Sequence, residues 1–267
     1  MKTKLPIVLI ALVAGASCAR SETLVWWKLE QSTPPIPAAD GSPGLKWWVE
    51  KDALYASSSD VPPAELYRNQ SERPLNSFDA GQSYFSTVSG LITSAPCEFW
   101  KVDDGLTVEG FFKTKRTKPD HERQAVISCG EGFADISWLV RLVDGRPSFG
   151  VFQGTSPDPV AQVEIDQDVR DERWHYFAAR VVPGQPGKLS LTVKGEGEAA
   201  VTEQIELPSG FSIRQNRKPL IIGRSSLFID NKPEYRGTWD TFGGLIADVR
   251  ISRGALKDED LLGKTAK

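Results

Sequence analysis

Apolar and polar residues alternate with a period of two in many short runs along this chain. In Leu106-Thr-Val-Glu-Gly-Phe-Phe-Lys-Thr114, Leu106, Val108 and Phe112 share one face, with Gly110 between them. Period two is the signature of a strand, because successive side chains point to opposite faces. The same pattern predicts strands over 22–30, 82–89, 124–129, 160–165 and 189–193, and short ones ending at Leu207 and at Gly223. Ser137–Val143 and Pro147–Phe152 flank Asp144-Gly145, and an Asp-Gly pair supplies the positive φ of a tight hairpin. Trp174–Val182 is apolar on both faces, as in a central strand. In the last run, Leu245, Ala247, Val249 and Ile251 are expected on one face, and Ile246, Asp248, Arg250 and Ser252 on the other. Helical periodicity is confined to Lys257–Leu262, with Asp258 as a cap. Residues 31–44 are rich in Pro, Gly and Ser and read as loop, and 45–75 as irregular structure or short strands. Many short strands with almost no helix predict an all-β sandwich or barrel.

The first residues form a separate unit. Lys2 and Lys4 precede an apolar run from Leu5 to Ala16, and small residues follow. This is the pattern of a signal peptide over 1–19, cleaved after Ala19. The run is shorter than the about 20 residues a membrane span needs. The alternative is a bacterial lipoprotein with a lipid on Cys18, which would be the chain's one tie to a membrane. The expected location is therefore exported: secreted, periplasmic or cell-surface, of bacterial type. Beyond the leader only Cys97 and Cys129 remain. In an oxidising compartment they are expected to form a disulfide, closing a loop of about 30 residues worth roughly 3 kcal/mol. Two buried thiols are the alternative.

Composition changes the picture little. The 267 residues are 40% hydrophobic and 25% charged, which suits a real core. The net charge of -3 becomes -5 once Lys2 and Lys4 leave, so phosphate attraction and a nucleic-acid partner are excluded.

Five segments, in order, resemble the laminin G-like domain of the concanavalin A-like lectin/glucanase family. They are Leu24–Leu29, Leu75–Gly81, Gly105–Lys113, Asp171–Arg180 with its Trp174-His175 pair, and Gly243–Leu256 followed by Lys-Asp-Glu-Asp-Leu261. The resemblance implies a two-sheet antiparallel jelly-roll sandwich over 20–258, a short C-terminal helix, and a tail over 259–267. Trp174 is then expected as a wedge between the sheets, with His175 pointing outward or bonded to a carbonyl. The long Pro-rich stretch before residue 75 departs from the minimal family.

The family contains both binding modules and glycosidases. Its laminarinase-type members place carboxylates on one strand face as nucleophile and acid/base. Glu164-Ile-Asp166-Gln-Asp168 has similar spacing, but Asp168 stands where the last Glu belongs. No Ser/His/Asp ordering or nucleotide loop accompanies it. The main expectation is a non-catalytic binding domain for carbohydrate or a surface protein. A glycoside hydrolase using Glu164 and Asp166, or a structural envelope component, is the alternative. The best ligand-binding candidates are Tyr235, Arg236, Trp239 and Asp240, where an aromatic platform stands among groups able to reach sugar hydroxyls. The bland reading is that Trp239 pins a long loop to the sandwich edge. The resemblance also makes calcium a candidate cofactor. Asp103, Asp104, Asp135 and Asp240 are carboxylates of the right kind, but no specific pair of them matches, and the metal site is unassigned. His121 lies in a charged turn, and a catalytic or metal role for it is the lesser reading.

Overall fold

A computed structural model describes residues 22–29, 44–47, 56–80, 90–93, 99, 104–114, 123–130, 135–156, 158–216, 218–225 and 240–265. The strands, in chain order, begin with β1 (Glu22–Trp27), β2 (Leu45–Trp47), β3 (Ala56–Ser58), β4 (Ser77–Asp79), β5 (Leu91–Thr93) and β6 (Leu106–Thr114). Then come β7 (Arg123–Cys129), β8 (Trp138–Val143), β9 (Arg146–Val151), β10 (Ala161–Glu164), β11 (Trp174–Val182) and β12 (Lys188–Gly195). The last are β13 (Val201–Glu206), β14 (Leu220–Ile222), β15 (Arg224–Ser225), β16 (Asp240–Thr241) and β17 (Gly244–Arg253). The predicted strand over 82–89 lies outside the described residues, as do the expected leader over 1–19, Cys18, Cys97 and His121.

Two antiparallel sheets face each other. The front sheet runs β13-β12-β11-β6-β17-β4-β3, with β1 also on β17, and the back sheet runs β10-β9-β8-β7-β14-β5-β2. Their inner faces build the core from the alternate residues the periodicity marks. Leu106, Val108 and Phe112 of β6, Phe177, Ala179 and Val181 of β11, and Leu189, Leu191 and Val193 of β12 meet Trp138, Val140, Leu142, Phe149 and Val151 from the back sheet. The β8–β9 hairpin turns as expected, with Asp144 at φ 49 and Gly145 at φ 81. All-β architecture with an antiparallel two-sheet sandwich is therefore observed. The helix expected at the C-terminus is only a 3-10 turn, Asp258–Asp260, and no side chain caps it. Two more such turns, Ala64–Leu66 and Gln70–Glu72, occur in the segment read as irregular.

The alternation expected for β17 fails at one point, and the reason is visible. Leu245 and Ala247 belong to an outer cluster, whereas Val249 and Ile251 lie in the inner core with Ile246. A β-bulge shifts the register against β6 between Ala247 and Arg250, and Asp248 takes a φ of 45. One extra residue exchanges the two faces of everything beyond it. Gly110 on β6 makes room for the bulge, since a Cβ there would come 2.9 Å from the Asp248 carbonyl oxygen. An isolated glycine inside a strand often marks such a close approach.

Trp174 is not the inter-sheet wedge. It lies on the outer face of the front sheet with Tyr176, Phe111, Leu66 and Tyr67, and its Nε1 donates to Asp60 at 2.8 Å. The odd residues of β11 face the core and the even ones face outward, which fixes Trp174 by its register. Trp27 and Trp138 take the wedge position. Both are buried in the core, Trp27 edge-on to Phe99 and Trp138 donating to the Phe99 carbonyl at 2.8 Å.

The outer face of the front sheet is covered by two crossing segments. Arg68 N–H donates to the Leu262 carbonyl and Lys264 N–H to the Leu66 carbonyl, each at 2.8 Å. The expected tail thus contributes Leu261 and Leu262 to the buried outer cluster. Part of the stretch that departs from the minimal family is the other half of this cover.

Candidate functional site

The sequence-derived candidates divide between described and undescribed residues. Tyr235, Arg236 and Trp239 lie outside the described residues. Of that loop only Asp240 is placed, at the start of β16, where its backbone pairs with Ser225. Cys129 is fully buried at the end of β7, and its expected partner Cys97 is undescribed. Asp103 is likewise undescribed. Asp104 is exposed, and Asp135 lies 3.5 Å from Lys218. Among the described residues no group of three or more His, Cys, Asp or Glu side chains is placed to hold a metal.

The three carboxylates of the glycosidase-like run are each engaged by an arginine. Glu164 ends β10, the edge strand of the back sheet, and Asp166 lies just beyond it with its side chain 94% exposed. Both pair with Arg146, at 3.5 and 3.3 Å. Asp168 pairs instead with Arg170 at 2.6 Å. The hydrogen bond from Arg170 holds the Asp168 carboxyl below its usual range, opposite to the shift that a general acid needs.

His175 points inward rather than outward. Its ring is fully buried, stacks on Phe112 with centroids 5.5 Å apart, and bonds through Nε2 to the Asp171 carboxylate at 2.9 Å. Burial alone would raise the Asp171 carboxyl, but hydrogen bonds from His175 and from Arg173 outweigh it and hold it below the usual range. Arg173 also reaches Glu198 at 2.5 Å, and Gln167 donates to Glu198 at 2.8 Å. These contacts fasten the turn before β11 to the turn after β12.

The outer face of the front sheet holds a second polar cluster. Glu109 is fully buried and accepts from Arg250 at 2.7 Å, from Tyr176 Oη at 2.6 Å and from the Leu262 N–H at 2.8 Å. Burial pushes its carboxyl up, and the Arg250 charge and these bonds pull it back only partly. The Tyr176 hydroxyl is pushed well up by burial and by the Glu109 charge. The bulge residue Asp248 accepts from Trp26 Nε1 at 3.1 Å and from Tyr67 Oη at 2.5 Å. Every group in this cluster already bonds to another protein group.

A cleft at one end of the sandwich is different. It measures about 840 Å³ and opens between the β11–β12 turn (181–187) and the segment after β13 (206–215). Such a volume suits a small organic ligand, for which about 300–1,000 Å³ is usual. Leu207 and Ile213 are buried at its base, and Phe211 is half-buried against the core. Two backbone bonds shape the wall, from Leu207 N–H to Gly187 at 2.8 Å and from Phe211 N–H to Pro208 at 3.0 Å. Gln185, Ser209, Ser212 and Gln215 are exposed on the lining, and no hydrogen bond to a described residue engages their side chains. Arg214 stands between two lining residues but turns away. Its guanidinium donates to the carbonyls of Ile136, Gly154 and Ser156, and burial pushes its pKa down. An apolar floor, one aromatic ring and four uncommitted polar side chains make this cleft a candidate binding site. Sequence reasoning passed over it. The available signal was an aromatic residue set among turn-formers, Pro208-Ser-Gly-Phe211-Ser, across the cleft from the Pro183-Gly-Gln-Pro-Gly187 turn of the preceding β11–β12 hairpin.

A family model for the concanavalin A-like lectin/glucanases superfamily, of laminin G type, matches residues 80–261, which is more than half of the chain. The chain belongs to this superfamily. Among solved structures it is similar to the botulinum neurotoxin serotype C1 binding domain, with a TM-score of 0.55 and 11% identity. It is also similar to the binding domain of botulinum neurotoxin DC, solved in complex with SialylT, at TM-score 0.55 and 10% identity. A third is the binding domain of Paraclostridial Mosquitocidal Protein 1, at 0.54 and 10%. Each alignment covers 90% of this chain and 50% of the other, so the chain spans about half the length of these structures. At such identities the likeness is one of fold. No curated protein matches the sequence significantly.

Proposed function

We propose that this protein is an exported, non-catalytic binding domain that recognises carbohydrate in the cleft between residues 181–187 and 206–215. The observation that carries the reading is the contrast on the cleft wall. Phe211 offers a ring for the apolar face of a sugar, and Gln185, Ser209, Ser212 and Gln215 offer uncommitted donors and acceptors for its hydroxyls. The superfamily supports it, since its description joins lectins with glucanases. The solvated, Arg-paired positions of Glu164, Asp166 and Asp168 favour binding over hydrolysis. The loop with Tyr235, Arg236, Trp239 and Asp240 remains a second carbohydrate candidate on its residue types. A protein partner is the competing reading. One structural neighbour, the botulinum neurotoxin DC binding domain, was solved in complex with rat synaptotagmin II.

A glycan screen with the mature protein tests this, with and without calcium, beside Phe211→Ala and Trp239→Ala. Selective binding lost in Phe211→Ala is the expected result. Loss confined to Trp239→Ala would move the site to the loop. No binding under any condition would overturn the carbohydrate reading and leave the protein partner. Export is checked by fractionation and N-terminal sequencing, with a mature chain starting at Arg20 expected. A cytoplasmic chain that keeps Met1 would contradict it.

A further inference from the structure

We infer that the cleft between residues 181–187 and 206–215 selects sugars that carry a methyl group, as an N-acetyl or a 6-deoxy substituent, over their fully hydroxylated counterparts. The inference rests on the reading that carbohydrate occupies this cleft, and it concerns which carbohydrates fit. The lining is divided by depth. Val181, Leu207 and Ile213 are only 2%, 6% and 8% exposed, so carbon side chains of the core form its base. Half-buried Phe211 packs against that core, and Pro183, Pro186 and Pro208 add apolar surface to the walls. The N–H groups of Leu207 and Phe211 already donate to the Gly187 and Pro208 carbonyls. Gln185, Glu206, Ser209, Ser212 and Gln215 are exposed and form the outer part of the lining. A plain hexose has an apolar face, which Phe211 can take, but it carries hydroxyls around its whole rim. A hydroxyl or hydroxymethyl turned to the base exchanges water for carbon, and an unpaired polar group there costs free energy. A methyl in the same place gains by leaving water. The remaining hydroxyls still meet the amides and hydroxyls of the outer lining.

The experiment titrates the full chain by calorimetry with two matched pairs of sugars. The first is N-acetylglucosamine and glucose oligomers of the same linkage, which differ in having acetamido or hydroxyl groups. The second is glycosides of L-fucose and L-galactose, which differ in having a methyl or a hydroxymethyl group. Phe211→Ala and Gln215→Ala report whether binding occurs in the cleft. Gln215 is exposed, so its variant keeps the fold if Phe211→Ala does not. Ile213→Thr puts a hydroxyl on the base, and Ile213→Val is its apolar control of similar size. The expected result is a methyl-bearing sugar that binds at least about tenfold more tightly than its counterpart, and the pair that shows this identifies the group. Its binding should weaken in both alanine variants, and the preference should fall in Ile213→Thr but not in Ile213→Val. Should Ile213→Thr not fold, the preference within the pairs and the Gln215→Ala titration still decide. If hydroxylated sugars bind as well as their counterparts or better, and weaken in the alanine variants, the selectivity inference is overturned while the cleft remains a carbohydrate site. A preference that a folded Ile213→Thr leaves unchanged overturns it too. If no sugar responds to either alanine variant, the carbohydrate reading of the cleft falls, and the inference falls with it.

Discussion

The outer face of the front sheet and the cleft at the sandwich end both gather polar side chains around apolar ones, but they dispose of them oppositely. On the sheet face, Glu109, Arg250, Tyr176, Asp248, Tyr67 and Trp26 bond to one another or to backbone beneath two crossing segments. In the cleft, four polar side chains surround Phe211 with no hydrogen bond to a described residue. Buried polar groups must be satisfied internally, because an unpaired one costs about 1–3 kcal/mol. Exposed, uncommitted groups lose nothing by waiting for a ligand. Polarity alone therefore does not mark a binding site. What separates the two regions is whether the polar atoms already have partners.

That contrast can be broken by substitutions of graded effect. Glu109→Ala should be the most severe. It leaves Arg250 without its carboxylate under the cover, and breaking a buried pair in this way costs about 3–5 kcal/mol. Denaturant unfolding measures the loss, and a variant within about 1 kcal/mol of the parent would show that the cluster is not structural. Gly110→Ala comes next, at roughly 1–3 kcal/mol, because its Cβ must displace the Asp248 backbone at the bulge.

Asp171→Asn is expected to cost about 1–2 kcal/mol at neutral pH by weakening the bonds to His175 and Arg173. Its pH dependence follows from the lowered carboxyl. A depressed pKa contributes stability that is present above the ordinary value of 3.8 and is lost as pH falls through the folded value. Parent and variant should therefore converge in stability as the solution is acidified below 3.8, and a gap that stays constant with pH would refute the assignment. The smallest stability change is expected from Gln215→Ala, within about 0.5 kcal/mol, since its side chain is exposed and has no partner among the described residues. Its effect should appear in ligand affinity instead.

The sequence made much of the architecture legible because period-two alternation directly reports two-faced strands. Leu106, Val108 and Phe112 face the core as the pattern requires, and Asp144-Gly145 makes the hairpin it predicts. The β17 pattern misled only past Asp248, because a bulge inserts one residue without changing the residue types around it. Trp174 misled for another reason. A large aromatic is as much at home under an outer cover as between sheets, and only the register of β11 against β6 decides. The cleft was illegible because its walls come from segments about twenty residues apart that only the β12–β13 hairpin brings together. No local periodicity marks Phe211 or Gln215.

Hydrogen–deuterium exchange with and without a bound oligosaccharide shows directly whether the cleft is where the sugar sits. Added protection is expected only at backbone amides within 183–187 and 206–215, with the Glu109 region on the outer face of the front sheet unchanged. Protection centred on the 226–243 loop, or protection absent from the cleft segments while binding is measured, would contradict it.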